Sequence, residues 1–256
     1  GSQDMTRTIA TIVAAAVAAM TACAHGETKP MPMTPISQTK AVSSYILLDR
    51  TGSMSDIWDE ALSSVNAYAE AVGKVEEGEV DDLKTTVTLA AFDFQNGFQY
   101  DVLRAAVVPG AWNEVTNDEV SPRGMTPLFD AINRTITMAE ADNPEKAVIV
   151  IMTDGHENSS KEVTKDGVKA AMDRAKAKGW EVVFLGAEFS SFGDADTVGI
   201  SSSKQMAVGS QNLTATQERL AKKARAYGKG EEAEIIFDEA DRAAAGEEDV
   251  KQRTGN

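Results

Sequence analysis

The sequence predicts a doubly wound α/β domain, a mostly parallel sheet with one antiparallel edge strand and helices on both faces. Three observations carry this. Short β-branched and aliphatic runs alternate with segments whose apolar residues recur at spacings of three and four. One run, "AVIVIM" at Ala147–Met152, is apolar without interruption, as a central parallel strand covered on both sides should be. One pair of runs is separated only by a short turn and reads as a hairpin.

In chain order, "AVSSYILLD" ending at Asp49 is the first strand. Trp58, Leu62, Val65, Ala69 and Val72 then share one face of a helix. The runs from Thr85 to Phe94 and from Gly97 to Val108 flank Gln95 and Asn96, which marks the hairpin and the antiparallel edge. After a loop with Pro122 and Gly124, a helix runs from Pro127 to about Ala141, with Leu128, Ile132, Ile136 and Ala139 on one side. "AVIVIM" follows. Val168, Ala171, Met172 and Ala175 mark another helix, which Gly179 stops before the strand "EVVFLGA". A short strand at "QMAVG" and a helix from about Asn212 to Ala226 close the pattern.

The 256 residues suffice for one sizeable core, with the main domain at 41–228. Residues 1–4 read as an expression scar. Residues 5–24 have the basic, apolar and small-residue layout of a secretory signal, too short to span a membrane. Cys23, the lone cysteine, stands in "MTAC", which resembles a bacterial lipobox with Met20 where Leu is usual, so the segment is either a lipoprotein signal tethering the chain to a membrane or an ordinary signal cut after Ala24. Residues 25–40 read as a linker, and 229–256 as a peripheral, acidic, partly disordered tail. Lys plus Arg number 25 and Asp plus Glu 40, a net charge of −15 that opposes nucleic acid and anionic surfaces as partners and is expected of a solvated acidic surface. Nothing in the sequence sets the oligomeric state.

In an open parallel sheet, ligands bind beyond the carboxyl ends of the strands. Three loops there carry oxygen-bearing side chains: Asp49, Thr51 and Ser53 after the first strand, Thr126 in "RGMTPL", and Asp154 in "MTDG". None offers sulfur or imidazole at those positions, which is the ligand chemistry of hard divalent cations. Gly52 lets Thr51 and Ser53 turn toward one centre. Taken singly, each has a plainer reading. Thr126 before Pro127 fits a helix cap, Asp49, Ser53 and Asp56 are capping residues, and Asp154-Gly155 is a turn dipeptide.

Together, Asp49-Arg50-Thr51-Gly52-Ser53, Thr126 and Asp154 resemble the metal-ion-dependent adhesion site of von Willebrand factor A domains, with Thr51 where Ser is usual. "SPRGMTPLFDAI" and "TDGHENSS" are most similar to stand-alone bacterial and phage members. The resemblance covers roughly Ala41 to Ala226. It implies Mg²⁺, or Mn²⁺ or Ca²⁺, ligated by Thr51, Ser53 and Thr126 and oriented through water by Asp49 and Asp154, with a protein partner's Asp or Glu completing the shell. Arg50, Ser55, Asp56 and His156 lie in the same loops as candidate ligand-contact residues. The implied role is a metal-dependent adhesive or adaptor module, exported and periplasmic or membrane-anchored, rather than an enzyme.

Other readings are weaker. A cytoplasmic adaptor of an ATPase or chaperone-like machine would keep Met5 uncleaved. "DRTGSMS" also resembles the "DKTGTLT" phosphorylation loop of P-type ATPases in the haloacid-dehalogenase fold, which would make Asp49 a nucleophile, but the later acidic pair, nucleotide domain and membrane helices of that class are missing from the pattern. "HEN" lacks the second His of a zinc protease, "SSSK" has no companion motifs, and "DADTVG" fails the ligand positions of a calcium loop.

Overall fold

The computed structural model describes residues 39–255; the signal segment, Cys23 and the linker as far as Gln38 lie outside them. Six strands form one sheet in the order β3-β2-β1-β4-β5-β6. They are β1 (Lys40–Asp49), β2 (Leu83–Phe94), β3 (Phe98–Val107), β4 (Ala147–Thr153), β5 (Glu181–Ala187) and β6 (Gln205–Val208). All neighbours are parallel except β2 and β3, whose hairpin turns at Asn96 and Gly97 with positive φ. Seven helices surround the sheet among the described residues: α1 (Trp58–Val72), α2 (Leu128–Asp142), α3 (Lys165–Ala177), α4 (Gly193–Thr197), α5 (Leu213–Lys229), α6 (Glu239–Ala245) and α7 (Glu247–Thr254). The fold class is the expected one.

Strand alternation sorts the core into two layers. Val42, Ile46 and Leu48 of β1 face α1, α5 and the C-terminal segment. Tyr45 and Leu47 face the opposite way, onto α2 and α3. β1 and β4 lie side by side at the sheet centre, with Leu48 opposite Met152, so the residues that follow each strand emerge together at one end. No described helix is long and apolar enough to cross a membrane.

Two regions differ from expectation. Asp194–Thr197, read only as a failed calcium loop, lies in the short helix α4. The tail is ordered rather than partly disordered: α6 starts with a capping box on Asp238, Ile235, Phe237 and Ala245 are buried in the main core, and Val250 is buried as well. Its sparse apolar residues are placed where they matter, and each large one buried contributes about 1.5–3 kcal/mol. The tail also covers β6. The Ala207 N–H donates to Glu247 at 2.8 Å, Gly209 N–H to the Ala245 carbonyl at 2.9 Å, and Phe237 N–H to the Ser203 carbonyl at 2.8 Å. A strand edge left bare would be a template for pairing with another chain.

A second tie holds the segment after α1. The Arg225 guanidinium donates to the Val72 carbonyl at 3.0 Å and to Glu79 at 2.8 Å, and Lys229 also donates to Glu79. Lys229, the Glu76 backbone and Arg225 hold the Glu79 carboxyl down to about 2.

Ending the chain after Gly230 is therefore expected to leave a protein that self-associates with rising concentration, seen by sedimentation velocity, where the full chain does not. Because the Glu79 pKa is depressed in the fold, its contribution is complete above the ordinary value of 4.5 and is lost as pH falls toward about 2. Glu79→Gln should lower stability at neutral pH by on the order of 1 kcal/mol after solvent screening, and the difference from the parent should shrink on acidification in urea unfolding.

Candidate metal centre

At the carboxyl end of β1, Asp49 has no exposed surface. Its Oδ1 accepts the Thr51 N–H at 2.7 Å and its Oδ2 accepts the Thr153 hydroxyl at 2.6 Å. Burial pushes this carboxyl up to about 7, against the lowering effect of the bonds from Thr153 and Thr51. Burial also raises Asp154, which the Ser53 hydroxyl partly offsets. Burial disfavours the charged form of both, completely enclosing Asp49 and only half-covering Asp154, and a cation beside them would offset that cost.

The other predicted donors form a chain. The Thr126 hydroxyl donates to the Thr51 hydroxyl at 3.3 Å, the Thr51 and Ser53 hydroxyls are 3.2 Å apart, and Ser53 donates to Asp154 at 2.8 Å. The three loops thus converge on one place. Adjacent oxygens around an octahedral Mg²⁺ at 2.0–2.1 Å are about 2.8–3.0 Å apart, so these separations fit neighbouring ligands with closure of a few tenths of an ångström. Among the described residues no group of three or more His, Cys, Asp and Glu could hold a metal. A cation here would depend on the hydroxyls.

The helix-cap reading of Thr126 does not hold. In the first turn of α2, Phe129 N–H donates to Glu157 at 2.8 Å and Asp130 N–H to the Ser160 hydroxyl at 2.9 Å, leaving the Thr126 hydroxyl to turn toward Thr51. Asn158 clamps Thr126 from both sides, accepting its N–H at 2.9 Å and donating its own N–H to the Thr126 carbonyl at 3.1 Å. Asp130 in turn accepts the N–H groups of Lys161, Glu162 and Val163. The loop after β4 is therefore pinned to the start of α2.

The loop that carries Thr126 is pinned to the first loop as well. Gly124 adopts φ +72°, and a Cβ there would come within 2.5 Å of the Phe94 carbonyl oxygen. The Gly52 N–H donates to the Gly124 carbonyl at 3.1 Å and the Arg123 N–H to the Arg50 carbonyl at 2.7 Å. Beneath them the buried Asp93 accepts from Arg50 at 2.9 Å and from Arg123 at 3.1 Å. Sequence reading had assigned roles to neither Asp93 nor Arg123, nor to Thr153, Glu157 or Asn158. All but Asp93 fall in the stretches singled out for their resemblance.

The ligand-contact candidates divide. Arg50 is a correction: its side chain is buried and taken up by Asp93 and Asp101, away from the site mouth. Ser55 and Asp56 are exposed, and Ser55 donates to the Gly52 carbonyl at 2.7 Å. His156 is exposed, two residues beyond Asp154, with Nδ1 3.3 Å from Asp194 and its ring edge-on to Phe189 at 4.8 Å.

No protein-family model and no curated protein sequence matches the chain. Solved structures do. The von Willebrand factor domain of the type V pili tip protein from Porphyromonas gingivalis aligns with 73% of this chain and 96% of its own, at 11% identity and a TM-score of 0.51. This chain has a von Willebrand factor A-like fold. The pilus adhesin SpaC from Lactobacillus rhamnosus GG aligns over the same 73% with a TM-score of 0.55 at 13% identity, and proximal thread matrix protein 1 from the mussel byssus does so at 0.52 and 13%. This chain spans 30% of the adhesin's length and 47% of the byssus protein's.

Asp93→Asn is expected to cost about 1.5–3 kcal/mol, because it weakens the charge-assisted bonds from Arg50 and Arg123 while Arg50 keeps Asp101, and to loosen the loop bearing Thr126. Urea unfolding and amide exchange at Gly124–Thr126 would check both effects.

Proposed function

We propose that this A-like domain is a protein-binding module of the adhesive kind, whose recognition centre is a divalent cation held at the convergence of the three loops. Thr51, Ser53 and Thr126 would supply the direct oxygens, and Asp49 and Asp154 would orient the shell from behind. A bound cation would supply an electrophilic point that neutral hydroxyls leave undersatisfied, suited to an Asp or Glu side chain of a partner. Mg²⁺ is the first candidate, with Mn²⁺ or Ca²⁺ as alternatives.

The observation that carries this reading is the chain of close oxygen contacts from Thr126 through Thr51 and Ser53 to Asp154, formed by loops far apart in sequence. The engagement of both Asp49 oxygens in a fully buried position supports an anchoring role over a nucleophilic one, since an attacking carboxylate must reach its substrate. That two of the neighbouring folds are named as pilus proteins, one of them an adhesin, supports an exported, surface-facing setting for this chain.

Calorimetric titration of the metal-free chain with Mg²⁺ and Mn²⁺ tests the reading. The parent is expected to bind one ion, and Asp154→Ala or Thr126→Val to weaken it about 10–100-fold while the fold persists by circular dichroism. Capture of a partner should then disappear with chelator. No binding of either ion by the parent, or capture indifferent to chelator, would sink the proposal.

A further inference from the structure

The loop between β5 and α4 meets the loop after β4, where the Phe189 ring packs edge-on against His156 two residues beyond Asp154, and it is held in an unfavourable backbone shape. Glu188 sits at φ +50°, a left-handed conformation uncommon for a residue with a long side chain. Gly186 permits the tight path, since a Cβ there would lie 2.1 Å from the Phe189 carbonyl oxygen. Conformations of this kind persist only when their surroundings over-determine them.

Part of that over-determination comes from the C-terminal helix. Arg253 of α7 donates to Glu188 Oε2 at 2.8 Å, and the Thr254 hydroxyl is hydrogen-bonded to the Ser190 hydroxyl. From the other side, the Ser210 N–H donates to Glu188 Oε1 at 2.6 Å and the Glu188 N–H to the Val208 carbonyl at 2.8 Å. Burial raises the Glu188 carboxyl, but Ser210 and Arg253 lower it by more, so the pair with Arg253 stays ionised. Between these clamps lies Phe189, whose ring packs edge-on against His156. The far side of His156 is fixed by Asp194, which also accepts the Glu157 N–H at 2.8 Å.

We infer that Arg253 and Thr254 are positioning residues for the loop that carries Asp154: by clamping Glu188 and Ser190 they seat Phe189, and Phe189 sets where the His156 ring stands, two residues beyond Asp154. The inference rests on the reading of the loop cluster as an ion site only for its functional meaning, because the positioning itself belongs to the metal-free chain. It assigns the last turn of α7 a part in shaping what meets a partner, separate from the sealing of β6 by Glu247 and Ala245.

The test uses the full chain with Arg253→Ala and Thr254→Val combined, free of divalent ions and at one fixed pH. Amide exchange of residues 188–192 should rise roughly tenfold, while β4 and β5 stay protected. The ring-proton resonances of His156 should shift, which loss of a merely stabilising contact would not cause. Thr254→Ser and Arg253→Lys, which keep the hydroxyl and the charge, should stay close to the parent in both readouts. If the double variant does not fold, Thr254→Val alone gives the same comparison. Unchanged exchange at 188–192 would overturn the inference, and so would a loosened loop with unmoved His156 resonances. A Mg²⁺ titration on the same samples separates the two ideas: failure of the parent to bind Mg²⁺ counts against the cation reading and leaves the positioning result intact.

Discussion

A carboxylate with no exposed surface must find its compensation inside the protein, and for Asp49 that requirement fixes the relation of the two central strands. Thr153 can donate to it only if β4 runs parallel beside β1 and in register, so that both strands end at the same level. The same pairing delivers Asp154 to the Ser53 hydroxyl, across more than a third of the chain. The polar cluster thus follows from the sheet order. A one-residue slip of β4 against β1 would strand a buried acid as well as turn each apolar side chain of the strand toward the wrong layer.

Most of this was legible in the sequence because the signals were local and periodic. Trp58, Leu62, Val65, Ala69 and Val72 all lie buried along α1, and the uninterrupted "AVIVIM" run is indeed central. The five residues proposed for the ion came together because each follows a strand or opens a helix whose boundary was marked. Less visible were residues whose role exists only through a distant partner. Asp93 stands in an alternating strand pattern, and nothing local tells that Arg50 and Arg123 will flank it. Arg50 was misread for the converse reason. It is adjacent to Asp49 and Thr51, but its side chain leaves the chain on the other side and enters the Asp93 pair.

The tail shows a different limit. Its composition is close to that of a disordered segment, and mean apolar content is a fair guide when a segment must build a core of its own. Here the core already exists. Ile235, Phe237 and Ala245 need only complete it, and polar groups do the rest: Glu247 takes the Ala207 N–H and Asp238 caps α6. Order is then set by what the rest of the domain leaves uncovered, which a reading of the segment alone has no access to.

The acidic balance has to be reread in the same light. A net charge of −15 looks like a solvated negative surface, yet several of the acids behind it are buried and engaged as acceptors. Asp130 accepts three backbone N–H groups, Glu157 caps the start of α2, Glu181 takes Ile235 N–H together with Lys204, and Asp241 closes the capping box of α6. Carboxylates suit these places because each offers two oxygens and several lone pairs, and bonds from N–H groups to a charged acceptor are stronger than those to a neutral one. In this chain the excess of Asp and Glu is therefore partly a means of ordering irregular loops around the strand ends. The field felt by an approaching partner comes only from the remaining exposed acids, and at the mouth of the loop cluster it is shaped by a few of them, Asp56 among the exposed residues and Asp154 half-buried behind.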